Sequence, residues 1–347
     1  MRIPIESLCE VNFEHSVLYD ITLSLNKKAS LKDIASLSDL NIRDRITELE
    51  IESDQDPAVM EVLFSLLTNS SVRSLDIESS NLSQWMEHIK QIGPCLRELT
   101  INYVSTVVTQ LTTITEYCPY LEKLISDYWL KGNQHNFLQR LASNCPHIRS
   151  ITIWLDYSSS AEADADLTAF AEKCPQLEEL SLTCPQLTDQ SVIALAQHCS
   201  RLKKLKSDRY KLTAASLIAL SERGLPLEEL DIPRIPIPSA EIAAQCAHAL
   251  SRIRDLYTIG YVSAENIHYA LQYMTGLRQL CLYSAEDHLL VPHLLLLLQG
   301  QCCAGLESLT IGSGSSITPQ QLCELVAGCP QLHTLTMYKP TCSSDAI

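Results

Sequence analysis

A six-residue motif, Leu-x-x-Leu-x-Leu with Ile, Val or Met standing in for Leu, recurs at a nearly fixed interval through this chain. It reads LYDITL from Leu18, ITELEI from Ile46, VRSLDI from Val72, LRELTI from Leu96, LEKLIS from Leu121, IRSITI from Ile148 and LEELSL from Leu177. It continues as LKKLKS from Leu202, LEELDI from Leu227, IRDLYT from Ile253, LRQLCL from Leu277, LESLTI from Leu306 and LHTLTM from Leu332. Successive starts of the thirteen copies lie 24 to 29 residues apart. One copy would mean little in so leucine-rich a sequence. Thirteen in register mean an array of units, each too small to bury its apolar face alone and therefore stacked on its neighbours. Alternation within the motif is the period of a strand with one buried face.

The other half of each unit keeps a different period. Leu138, Leu141, Ala142 and Cys145 stand at i, i+3, i+4 and i+7, as do Leu167, Phe170, Ala171 and Cys174. Val192, Leu195, Ala196 and Cys199 repeat the spacing, and so do Leu322, Leu325, Val326 and Cys329. This is one face of an amphipathic helix. Thr188 and Thr318 fit helix N-caps, and Pro319 fits the first turn. Each unit is therefore a short strand followed by a helix. The cysteine closes the helix stripe at the corner, where a small apolar side chain suits a crowded seam. In CPQL, at 174 to 177 and 329 to 332, the following proline helps to end the helix. Asn69, Gly93, Gly224, Leu250 and Met274 take the same corner elsewhere, so the position selects fit rather than thiol chemistry. Cys118, Cys145, Cys174, Cys199 and Cys329 are expected to be buried, reduced and unligated.

Two stretches carry the pattern most fully: CPQLEELSLTCPQLTDQSVIALAQHCSRLKKL (174 to 205) and ITPQQLCELVAGCPQLHTLTM (317 to 337). They resemble the cysteine-containing class of leucine-rich repeats, like those of F-box proteins that select substrates for cullin-based ubiquitin ligases. With the repeat pattern, the resemblance implies an α/β horseshoe: a parallel sheet on the concave face and helices on the convex face. One leucine-rich-repeat domain of about thirteen repeats is expected over residues 1 to 347, with an atypical segment at 1–17 and a short tail at 339–347. The implied function is protein–protein recognition without catalysis, as the substrate-binding domain of an SCF-type ubiquitin ligase. A non-ligase scaffold, an inhibitor or the ligand-sensing domain of a larger receptor is the alternative. In the F-box family the F-box recruits the ligase core. None is found in this sequence, so either the box lies in a domain outside this chain, which would then contact the ligase core, or the protein has none.

Charge and composition narrow the partners. The chain carries 41 Asp and Glu against 26 Lys and Arg, a formal net charge of −15. That balance argues against a general nucleic-acid or anionic-membrane binder, which needs a basic face. The longest apolar stretch, LLVPHLLLLL at 289 to 298, is half of the roughly 20 residues a membrane span requires. It reads as a convex helix between repeats, or as a partner-binding helix. Fourteen cysteines in a chain of 347 residues, with no apolar signal segment after MRIPIESLCEVNFEH, read as free thiols of a reducing compartment, cytoplasm or nucleus. IGSGSS (311 to 316) lacks the lysine a phosphate loop needs, and neither His-Glu-x-x-His nor Cys-x-x-Cys occurs. Cys302 and Cys303 lack a second pair at zinc spacing. No enzyme activity, cofactor or metal is expected.

The residues between and just after the motif leucines point outward to the concave side, where stacking makes columns of them. The early strands supply Glu48, Glu50, Glu52, Asp76 and Glu78. Aromatic residues follow the middle strands: Tyr103, Tyr128, Trp129, Trp154 and Tyr157. A basic step comes next, Lys204, Lys206 and Arg209, bordered by Glu229, Asp231 and Arg234. The last part returns to aromatics with Tyr257, Tyr261, Tyr283 and Tyr338. Tyr, Trp and Arg dominate interface hot spots, so these aromatic and basic columns are the expected site for a protein partner.

After the last motif stand ten residues, YKPTCSSDAI, too few for the helix that covers the core elsewhere. An open strand edge there invites pairing. The expectation is that the chain is a piece of a longer product, or that a partner or second copy covers this end.

Overall fold

A computed structural model describes residues 2–5, 21–26, 29–39, 43–52, 56–68, 71–78, 82–102, 108–130, 132, 134–206, 213–231, 237–259, 269–283, 304–311 and 319–337. The chain forms two compact units, Met1–Tyr157 and Ser158–Ile347.

In the first unit seven strands follow in chain order: β1 Arg2–Pro4, β2 Ile21–Leu25, β3 Ile46–Glu52, β4 Ser74–Glu78, β5 Glu98–Asn102, β6 Lys123–Trp129 and β7 Ser150–Trp154. Each pairs in parallel with the next. The motif residues align in register, Leu49, Leu75, Leu99, Leu124 and Ile151 forming one buried row. Helices α1 Leu31–Asp39, α2 Pro57–Leu67, α3 Met86–Ile92, α4 Val108–Tyr117 and α5 Phe137–Asn144 connect the strands. β1 is an addition to the expected pattern, since it lies in the segment that the motif leaves unmarked.

The second unit repeats the plan. Its strands are β8 Glu179–Thr183, β9 Lys204–Lys206, β10 Glu229–Asp231, β11 Asp255–Ile259, β12 Gln279–Tyr283, β13 Ser308–Ile311 and β14 Thr334–Met337. They too pair in parallel, each with the next. The described helices are α6 Ser160–Lys173, α7 Asp189–His198, α8 Ala214–Glu222, α9 Ala240–Gln245, α10 Ala247–Arg252 and α11 Pro319–Gly328. Each of the thirteen motifs has become a strand. The stretch LLVPHLLLLL, and with it the choice between its readings, lies outside the described residues, as does Thr318. Among the described residues no helix is long and apolar enough to cross a membrane.

The corner cysteines close the helices as expected. Cys145, Cys174 and Cys199 are the C-caps of α5, α6 and α7, in nearly the same conformation (φ −125°, −116° and −104°; ψ 69°, 63° and 71°). With Cys118 and Cys329 they are buried and unbridged, and Cys246 joins them. Burial pushes the thiols of Cys118, Cys174 and Cys199 up to about 12 and that of Cys246 to about 11, so they stay protonated and inert. The seam is tight enough at Gly93 that a Cβ would sit 2.5 Å from the Tyr117 carbonyl oxygen. That explains a glycine where other units hold cysteine.

A second ladder fixes the helix starts. Asp164 on α6 accepts hydrogen bonds from the Thr188 backbone N–H (3.0 Å), the Thr188 hydroxyl (2.7 Å) and the Ser191 hydroxyl. One repeat later Asp189 accepts from the Thr213 N–H (2.8 Å), the Thr213 hydroxyl (2.6 Å) and the Ser216 hydroxyl. Thr188 and Thr213 in turn cap α7 and α8. α6 and α7 thus each hold the N-terminus of the next helix, which turns local capping into contact between repeats.

Candidate functional site

The first unit exposes one face of its sheet, and the register reads out its columns. Glu50, Asp76, Thr100, Ile125 and Thr152 are laterally aligned on β3 to β7. Beside them run Glu52, Glu78 and Asn102 on β3 to β5. The row is broken at β6. Its pairing with β7 runs evenly to Ser126 opposite Ile153, then jumps to Trp129 opposite Trp154. The irregularity extrudes Asp127 and Tyr128, both exposed, Tyr128 by 45%. Bulges of this kind re-aim side chains at functional edges.

The jump brings the half-buried Trp129 and Trp154 together edge to face, 5.7 Å between centroids at 77°, a favoured aromatic geometry. The backbone beneath is clamped. The Leu130 N–H donates to the Trp154 carbonyl (3.2 Å). Buried Gln134 donates its amide to the Leu130 carbonyl (2.7 Å), and its oxygen accepts from the Asp156 N–H (2.6 Å). Rings held in place before a partner arrives lose little freedom on binding.

On β3 and β4, earlier in the same sheet, the face is acidic. Burial raises the Asp76 carboxyl to about 6, with help from Glu50, Glu78 and Asp127, and Arg2 pulls the other way. Arg2 Nε lies 2.7 Å from Glu50, a close ion pair without hydrogen-bond alignment. Asn102 donates to Asp76 at 3.2 Å.

The second unit treats its charges differently. Lys204 Nζ stands 2.9 Å from Glu179 and 3.8 Å from Glu229, and Lys206 forms an ion pair with Glu229. Glu229 is only 8% exposed, so the two lysines neutralise a carboxylate that burial would otherwise penalise. Lys206 Nζ also lies 5.6 Å from the ring centre of Tyr257, whose hydroxyl donates to Gln279 at 3.0 Å. Of the expected basic step, Lys204 and Lys206 are thus paired with Glu179 and Glu229 across β8, β9 and β10, with Asp255 next in the column on β11.

Neither a family model nor a curated protein sequence matches the chain. Among solved structures it is similar to yeast Rad7 in the crystal structure of the Rad7–Elc1 complex, with a TM-score of 0.61 at 16% identity over 99% of this chain and 82% of that one. The chain is a leucine-rich-repeat solenoid. A weaker likeness, TM-score 0.38 at 13% identity, joins 92% of it to 55% of TLR13 in the TLR13–ssRNA13 complex.

The solenoid brings some of the residues singled out from the sequence together and separates others. Tyr128, Trp129 and Trp154 share one surface, while Lys204, Lys206 and Tyr257 share another in the second unit. Tyr157 was expected outside but is 4% exposed. It keeps the phase of Ile151, Ile153 and Leu155, all buried, so period-two alternation turns it inward. Tyr103, Arg209, Tyr261 and Tyr338 lie outside the described residues; Tyr283 ends β12, and its side chain is likewise outside them. Sequence reasoning missed Asp127 and Gln134. The alternation of β6 could have flagged Asp127, but nothing local marks Gln134 as a clamp.

Proposed function

We propose that the solenoid is a protein-recognition module whose partner docks on the open face of the first unit, centred on Trp129 and Trp154. The carrying observation is the edge-to-face tryptophan pair at a strand irregularity, clamped by Gln134 and flanked by exposed Tyr128. Large aromatic rings held rigid at a surface are the residues that anchor protein interfaces. In its finer form the partner is a substrate of an SCF-type ubiquitin ligase, whose core is reached through a domain outside this chain. That form is supported by the resemblance of the cysteine-cornered repeats to those of F-box proteins.

The test is affinity purification of the full-length protein from its native cells, read by mass spectrometry, with wild type beside Trp154→Ala. A partner that is enriched by wild type and depleted at least about tenfold by the variant is the expected result. Retention by Trp154→Ala combined with loss on Glu61→Lys, on the helical side, would move the site off the sheet. Co-purifying cullin would favour the ligase form, and a partner without cullin would favour a scaffold.

A further inference from the structure

We infer that the open face of the first unit takes a cationic, extended segment of the partner, with Arg or Lys side chains over the carboxylates of β3 and β4 and against the tryptophan pair. This names the partner class and rests on the reading of that face as the binding site.

Three observations carry it. The first is charge. Glu50 stands opposite Asp76 in register, Glu78 follows Asp76 on the same face of β4, Asp127 is exposed on β6, and Arg2 is paired with Glu50. Among the described residues these four carboxylates outnumber the paired Arg2, so an incoming cation gains and a polyanion is repelled. The second is the aromatic pair. Trp129 and Trp154 lie on the same sheet, two to four strands along from the carboxylates of β3 and β4, so one cation of an extended segment can meet the carboxylates while a second Arg or Lys meets an indole. The third is contrast with the second unit, where Lys204 and Lys206 already answer Glu179 and Glu229. With Asp255 that group holds three carboxylates against two lysines, so a larger share of its charge is answered than among the four carboxylates and Arg2 of the first unit.

The geometry also sets a spacing. From β3 to β7 there are four inter-strand steps, roughly 19 Å at about 4.8 Å each. An extended segment crossing the strands covers that distance in about six residues at roughly 3.3 Å per residue. A cation over Glu50 or Asp76 and the group meeting Trp154 should therefore stand about four to six residues apart in the partner.

Panning the full chain against a display library of random dodecapeptides at low salt tests this. Selected peptides are then titrated by fluorescence anisotropy against wild type, Trp154→Ala and Asp76→Asn with Glu78→Gln. Far-UV circular dichroism confirms that each variant is folded. Enriched peptides should carry Arg or Lys at the stated spacing, and both variants should weaken them at least about tenfold. Binding should also fall as salt rises. Acidic or uncharged peptides that depend on Trp154 but ignore the carboxylate changes would sink the cationic class and leave the recognition face standing. Binding that ignores both variants removes the face as well. A library that yields no enrichment overturns the inference, and capture of the native partner through Trp154 then speaks for the face alone.

Discussion

The thiol of Cys145 donates to the backbone carbonyl of Cys118 at 3.2 Å, from one repeat corner to the preceding one. The same carbonyl accepts the Leu121 N–H at 3.1 Å, so both of its lone pairs are used. The relationship recurs one step on. The Cys174 carbonyl accepts the Leu177 N–H at 3.1 Å and lies 3.6 Å from the Cys199 sulfur. Cysteine therefore suits this corner for two reasons: it fills the seam, and its weak donor completes a buried carbonyl.

Cysteine-to-serine changes should separate these two roles. At position 145 a hydroxyl would find the carbonyls of Cys118 and Thr115, which lie 3.2 Å and 3.5 Å from the sulfur. At position 174 the described residues give the thiol no acceptor, so Cys174→Ser should cost about 1–3 kcal/mol. Cys145→Ser should cost less. Urea unfolding of both variants checks this, and equal losses would mean that the hydrogen bond contributes nothing.

Asp76 should make stability depend on pH in an unusual sense. Its folded carboxyl titrates near 6 against an ordinary 3.8, so between these values the folded state holds more protons than the unfolded one. Stability from this group therefore falls as pH rises from about 4 to 6 and stays lost above that. Asp76→Asn should then be more stable than wild type at neutral pH, by about 1 kcal/mol once solvent screening of this half-exposed group is allowed for. The gain should vanish below about pH 4. Thermal unfolding across this range measures it, and a gain unchanged by pH would refute the account.

The aspartate ladder predicts a loss from the opposite sign of shift. Burial alone would raise Asp189, but hydrogen bonds from Ser216 and Thr213 outweigh it and hold the carboxyl below its ordinary value. Asp189→Ala strands these donors at the start of α8 and should cost about 1–3 kcal/mol at neutral pH. Because the folded value is depressed, the wild-type advantage is present above the ordinary aspartate value and is lost as pH falls through the folded one. Denaturant unfolding at neutral and strongly acidic pH should show the difference shrinking with acid.

Lys206 and Glu229 should behave as a coupled pair. Lys206→Met leaves a nearly buried carboxylate with Lys204 at 3.8 Å as its remaining partner. A loss of about 1–3 kcal/mol is expected, less than for a fully buried pair because the lysine is partly in water. Adding Glu229→Gln should restore part of it. A double-mutant cycle measures the coupling, and strict additivity would show that the ion pair carries no stability.

The thirteen strands, the buried stripes of α5, α6 and α7 and the cysteine corners follow from periodicities written within each repeat, and so does the Thr188 cap; in the last stripe Val326 is exposed instead. These are local properties: alternation decides which side of a strand is buried, and a three-to-four spacing decides which side of a helix is. Even Tyr157 obeys that rule, since continuing the alternation from Ile151 places it inside. The partner surface depended on more. Trp129 meets Trp154 because β6 slips against β7, a matter of register between residues 25 apart in the chain. Gln134 clamps that slip by reaching Asp156, 22 residues away. Lys204 and Lys206 look like a basic patch until neighbouring strands set Glu179 and Glu229 beside them. Side-chain period is carried by the chain itself, but which charge neutralises which, and which ring meets which, is decided only when one repeat is laid against the next.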